Sequence, residues 1–128
     1  MKGHEIAENL RNSKYRFTTG ALHKKTQDGT NEDAFCVMGL KALEAGVSIE
    51  RLDKTWNCSH IPNAAKIYQI NDDAANIAVT HEQFFLLTDL EVEKLRKQAV
   101  IDAFDSPQWH NFDFPMEQFI QYLKDTIE

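Results

Sequence analysis

The stretch Asp33-Ala34-Phe35-Cys36-Val37-Met38-Gly39-Leu40-Lys41-Ala42-Leu43-Glu44-Ala45-Gly46 constrains this chain more than any other. At helical spacing Phe35, Met38, Ala42 and Ala45 form one apolar stripe. Val37, Leu40, Leu43 and Val47 form a second stripe beside it. Only Lys41 and Glu44 are charged, and residues three apart share one narrow strip of a helix. A helix that is apolar nearly all round is buried inside its domain. Asp33 stands where an N-cap is favoured, and Gly46 where a left-handed C-cap is favoured. The pattern predicts a central helix over residues 34–45, with Phe35, Val37, Met38, Leu40 and Leu43 buried.

The rest of the chain is read as packing on that helix. Residues 4–12 read as a first helix with Ile6, Ala7 and Leu10 inward. Tyr15 to Thr19 is aromatic and β-branched and reads as a short strand, interrupted at Gly20. Ala21-Leu22-His23 continues it as a bent strand or hairpin arm. Asp28-Gly29 is a turn signal within a polar run. Ser48 caps a short helix holding Ile49, Leu52 and Trp56. Pro62 marks residues 57–63 as a loop. Residues 64–70 fit either a short helix or a strand, and Asn71-Asp72-Asp73 reads as a turn. Thr80 with Gln83 and Thr88 with Glu91 both fit capping boxes. The second opens a helix to about Phe104 with Val92, Leu95, Ala99, Val100 and Ala103 inward. Proline near position 107 or 115 starts the next element. Met116, Phe119, Ile120, Leu123 and Ile127 make the stripe of a last amphipathic helix. The expected fold is α+β: a mainly helical single domain over residues 1–128. A small antiparallel strand pair near the N-terminus packs on the central buried helix.

Charge and cysteine content narrow the function classes. Residues 1–66 carry ten Lys/Arg against eight Asp/Glu, a balance of +2, whereas residues 67–128 carry four against twelve, a balance of -8. An acidic half disfavours nucleic acid and suits a protein partner with a basic surface. It also serves plain solubility. No apolar run approaches the length of a bilayer span, and the polar start of the chain lacks a signal-peptide core. Two cysteines, Cys36 and Cys58, make no disulfide framework. A cytoplasmic location is expected, with no membrane and no cofactor.

Four groups of residues have candidate chemistry. Cys36, near a helix start, would have a thiolate stabilised by backbone N–H groups, and a nearby histidine would serve as base. His23, on the adjoining hairpin arm, is the histidine chosen, with Asn31 or Asp33 orienting its ring. The competing reading is a small buried residue packed between Phe35 and Val37. Cys58 and His60 lack a second ligand pair, and residues 71–82 carry Ala75 and Asn76 at positions that break a calcium loop, so no metal site is expected. Lys14-Tyr15-Arg16-Phe17 with Lys24-Lys25 interleaves basic and aromatic residues as a base-stacking surface does, but the patch is small. Trp109, His110, Phe112 and Phe114 lie in one aromatic stretch ending at Pro115. If exposed it is a binding surface; if buried, the preferred reading, it is a lid on the last helix.

Gly20-Ala21-Leu22, a polar loop, and Phe35-Cys36-Val37-Met38-Gly39 together resemble a loose set of small uncharacterised bacterial and bacteriophage proteins. Those proteins are similar in a short N-terminal helix, a Gly-x-Leu segment, an aromatic-Cys-x-x-Gly helix and a closing amphipathic helix like Phe119-Ile120-Gln121-Tyr122-Leu123. The middle of this chain, residues 57–86, departs from them. The resemblance implies a phage or prophage setting and a cytoplasmic location, and it implies no activity. The expected function is a small accessory protein of phage or mobile-element type. It would act by binding another macromolecule, in the manner of an inhibitor or immunity protein. The alternative is a thiol-dependent hydrolase or transferase using Cys36 and His23. Oligomeric state is left open.

Overall fold

Cys36, rather than Asp33, is the residue that starts the central helix. The computed structural model describes residues 1–54 and 60–126. Their elements run α1 (Gly3–Arg11), β1 (Arg16–Phe17), β2 (His23–Lys25), β3 (Asp33–Phe35), α2 (Val37–Glu44), α3 (Ile49–Leu52), α4 (Ala64–Ile77), α5 (His81–Leu86), α6 (Asp89–Asp105) and α7 (Met116–Asp125). This is a mainly helical α+β domain with one small sheet. The helix expected over residues 34–45 is therefore split. Its first residues form β3, and Cys36, in extended conformation, caps α2 by accepting from Gly39 N at 3.5 Å.

The sheet has three strands in the order β1-β3-β2. β2 pairs with β3 antiparallel, with the Asp28-Gly29 turn lying between them, so the antiparallel partner of the His23 arm is a segment read as helix and not the expected strand at residues 15–19. β1 adds a parallel partner, Arg16 beside Ala34 and Phe17 beside Phe35. Side chains alternate across a strand. One face of the sheet therefore carries the row Arg16, Ala34, Lys24, and the other the row Phe17, Phe35, His23. The second row is buried against the helices.

α2 is central, as the apolar stretch predicts. Phe35, Val37, Met38 and Leu40 are buried, whereas Leu43 is only partly so. Gly39 lies against the Leu22 backbone so tightly that an added Cβ would stand 1.9 Å from the Leu22 carbonyl oxygen. Gly46 follows the helix with φ +98, as its C-terminal position requires. α4 corrects the sequence reading of its region. It runs straight through Asn71, Asp72 and Asp73, where a turn was expected, and leaves no calcium loop. Asn71 is fully buried there, and its side-chain oxygen accepts from Val37 N, an orphan donor at the start of α2.

Both capping boxes form, at Thr80 with Gln83 and at Thr88 with Glu91. On α6 the inner face is Val92, Val100, Ile101 and Phe104. The expected Leu95 is instead 41% exposed, and Ala99 and Ala103 are half-buried. The α7 stripe of Met116, Phe119, Ile120 and Leu123 is buried. Ser48 caps α3, whose Arg51 donates to the carbonyls of Leu123 and Thr126 at the end of α7. Trp56, the loop reading of residues 57–59 with Cys58, and Ile127 lie outside the described residues. Among those described, no helix is long and apolar enough to cross a membrane.

Candidate functional site

The cysteine and the histidine occupy separate environments. Cys36 is 1% exposed, and burial pushes its thiol up to about 11, against the downward pull of the Gly39 and Met38 N–H groups. The helix start does favour a thiolate, but loss of water outweighs it. Leu22, Cys36 and Gly39 meet at one junction. Cys36 N donates to the Leu22 carbonyl at 3.4 Å, and the same carbonyl approaches Gly39. The Gly-x-Leu and aromatic-Cys-x-x-Gly segments are thus two sides of a strand-to-helix seam.

His23 is buried, with its ring 5.2 Å from that of Phe35. Its Nε2 faces Asp33 Oδ1 at 2.8 Å and its Nδ1 faces Asp53 Oδ1 at 2.5 Å. Both ring nitrogens of His23 therefore face carboxylate oxygens. The expected pairing of Asp33 with His23 forms. No hydrogen bond joins His23 to Cys36 among the described residues, since the two ring nitrogens are turned to Asp33 and Asp53. Asp33 also pairs with Lys25 at 2.9 Å, and His23 and Lys25 together hold its carboxyl below the usual range. No cluster of three potential metal ligands exists among the described residues.

The aromatic stretch is tied to the N-terminus and α1 and packs against Phe104 of α6. Gly3 N donates to the Phe112 carbonyl, His4 N to that of His110, and Phe114 N to that of Met1. Phe114 is 1% exposed, with Phe104 at 5.5 Å and Phe112 at 4.7 Å between ring centres. Trp109 packs at 5.2 Å from Phe112, and His110 is half-buried against the Ser106 carbonyl. The basic-aromatic run near the N-terminus is taken up by the fold only at Arg16 and Phe17, while Lys14, Tyr15, Lys24 and Lys25 are exposed. Phe17 is buried, and Arg16 binds Asp28, Glu32 and both carboxylate oxygens of Glu93.

The sequence reading passed over the surface that is left open. α5 has no buried residue. Phe85 is 73% exposed, Leu86 75% and Ile77, at the end of α4, 84%, while Phe84, Leu90 and Leu95 are also exposed. The signal was present in the sequence. Phe84-Phe85-Leu86-Leu87 is apolar on four consecutive positions, and a two-turn helix cannot turn all of them inward. Around this apolar segment, residues 77–95 carry Glu82, Asp89, Glu91 and Glu93 against the lone Lys94.

The fold and this surface define a mainly helical α+β domain that displays an apolar helix rimmed by carboxylates. Comparison with protein-family models, with curated proteins and with solved structures finds no match to this chain.

Proposed function

We propose that this protein acts by binding another protein through α5 and its acidic rim, as an inhibitor- or immunity-like accessory factor. The observation that carries this reading is the exposure of Phe84, Phe85 and Leu86 on one short helix. Contiguous apolar area of that kind mark interaction sites in soluble proteins, and aromatic side chains dominate interface energetics. The partner fits as an apolar groove flanked by Lys and Arg, which the rim of Glu82, Asp89 and Glu91 complements. The phage or mobile-element setting and the cytoplasmic location rest on the resemblance of the Leu22–Gly39 seam and on the cysteine content. The thiol-dependent alternative draws no support from Cys36, which is enclosed and lacks a facing base.

The test compares the wild-type chain with the double variant Phe85→Asp/Leu86→Asp. Both positions are exposed, so the fold is expected to survive, as circular dichroism will check. Each protein is used as bait in a native-host lysate, and the captured protein is purified and its binding remeasured at low and high salt. The proposal expects one basic partner that binds the wild type, releases the double variant and associates more slowly as salt rises. Equal capture by both chains would remove α5 from the interface. A wild-type dimer that the double variant converts to monomer would make a second copy the occupant and overturn the basic partner.

A further inference from the structure

The face of the sheet turned away from the core is covered by α6 only in part, and a cavity of about 330 Å³ opens there. Ala34 sits in the middle strand between the long side chains of Arg16 and Lys24, and its small size leaves the room. Val92, Glu93 and Arg96 of α6 form the opposite wall, and Phe84 lines one side. A volume near 300 Å³ lies at the small end of ligand sites and suits one small molecule.

The charges of this cavity are unequally committed. Asp28 and Glu93 are held by Arg16, and Lys25 is held by Asp33. Asp89 is exposed in the first turn of α6, where a carboxylate complements the helix dipole. The side chains of Lys24 and Arg96 have no ion-pair or hydrogen-bond partner among the described residues. Arg96 is half-buried, and its Nε is enclosed without a partner. An enclosed guanidinium donor without an acceptor is costly in a chain this rich in carboxylates. An anion in the cavity would pair with the Lys24 ammonium and with the accessible end of the Arg96 guanidinium, beside Thr18 and Thr19 of the lining. Phe84 keeps 52% of its surface exposed and offers a free aromatic face for a planar group.

We propose that this cavity binds a small phosphomonoester of about the size of a nucleoside monophosphate, with its phosphate between Lys24 and Arg96 and its planar group on Phe84. A guanidinium and an ammonium around one phosphate make charge-assisted hydrogen bonds, the stronger kind. The site shares Phe84 with the α5 surface, while its phosphate contacts, Lys24 and Arg96, lie outside that surface.

The test is a nitrogen-15 NMR titration of the full chain at constant ionic strength, with chloride replaced by inorganic phosphate, then with adenosine monophosphate, then with adenosine. The Arg96 Nε–Hε resonance and the amides of residues 16–19 and 24–26 are followed. The proposal expects saturable shifts with phosphate, tighter binding of the monophosphate, and little response at Arg96 to adenosine. Lys24→Ala and Arg96→Gln should each weaken binding roughly tenfold, the loss of one charge-assisted contact. Lys24 is exposed, so its variant remains informative if Arg96→Gln perturbs the fold. A silent Arg96 Nε–Hε, or shifts that survive both substitutions, would overturn the site. Equal affinity for phosphate and monophosphate would overturn the role of Phe84. Phe85→Asp/Leu86→Asp should leave the titration with inorganic phosphate unchanged, because only the Phe84 ring, packed on Phe85, is shared with the protein-binding surface.

Discussion

Cys36 shows how one residue can carry two chemistries that its surroundings then decide between. A thiol at a helix start is polarised by backbone N–H groups, which favours the anion. The same thiol packed among Phe35, Val37 and Met38 is deprived of water, which favours the neutral form, and here burial wins. The folded protein should therefore resist alkylation at Cys36 at neutral pH and label there only once unfolded by urea, as peptide mapping by mass spectrometry can follow. The capping bond makes a second expectation. Serine is a strong N-cap, so Cys36→Ser should keep the bond from Gly39 N and change stability by less than about 1 kcal/mol, whereas Cys36→Ala should cost about 1–2 kcal/mol. Rapid labelling of Cys36 in the native state would mean that the seam opens and that burial is not what controls the thiol. Asn71 makes the same point from the polar side. Its sequence context, Asn-Asp-Asp, reads as a turn because such side chains compete for nearby backbone groups. In the fold the competition is won by a distant backbone group, Val37 N, and the residue stays helical.

Among the elements, α1, α6 and α7 were legible, whereas α4 and the sheet were not. Both capping boxes carry their own local signal in four residues, and α7 repeats its apolar stripe over three turns. β3 has only three residues, too few for an alternation to show, and Phe35 continues the spacing of Met38 and Ala42. What makes it a strand is pairing on both sides, with β1 and β2, which no local pattern contains. The Cys36–His23 pair failed for a related reason. The sequence placed the two on neighbouring elements, and they are, but the row that holds His23 belongs to the sheet face, while Cys36 has already turned into the helix. The seam between strand and helix can be tested at α2. Gly39→Ala would drive a methyl into the Leu22 carbonyl, a backbone atom that cannot swing away, and should cost about 3 kcal/mol. Leu40→Ala removes a buried side chain and should cost about 2–5 kcal/mol. Gly46→Ala meets open space and should cost only the strain of its positive φ, about 1 kcal/mol. Urea midpoints should fall well below the wild type for Gly39→Ala and Leu40→Ala, and least for Gly46→Ala. A Gly39→Ala protein as stable as the wild type would show that α2 does not lie against the Leu22 backbone.

At the scale of the whole molecule the charges couple folding to pH from both sides. Hydrogen bonds hold three carboxyls below their ordinary range: Asp33 by His23 and Lys25, Asp28 by Thr30 and Arg16, and Glu91 by the backbone and hydroxyl of Thr88. A carboxyl whose pKa is lowered by folding contributes stability that is present above its unfolded value, about 4, and lost as pH falls through the folded one. Stability should therefore decline below about pH 4, and Asp33→Asn should flatten that decline. Cys36 acts in the opposite sense. Its pKa is raised by folding, so its contribution is complete below the unfolded value of about 8.5 and is lost as pH rises toward the folded value of about 11. The size of that loss is on the order of 3 kcal/mol between the two values. Lysines and tyrosines titrate in the same alkaline window, so the wild-type curve alone cannot isolate the thiol. Cys36→Ser supplies the comparison, since it keeps the helix cap and removes the titrating group. Thermal midpoints measured from pH 7 to 11 for the two proteins should run parallel to about pH 8.5 and then separate, the wild type falling faster. Alkaline limbs that overlay would place Cys36 in contact with water and undo the argument for a sealed seam between sheet and helix.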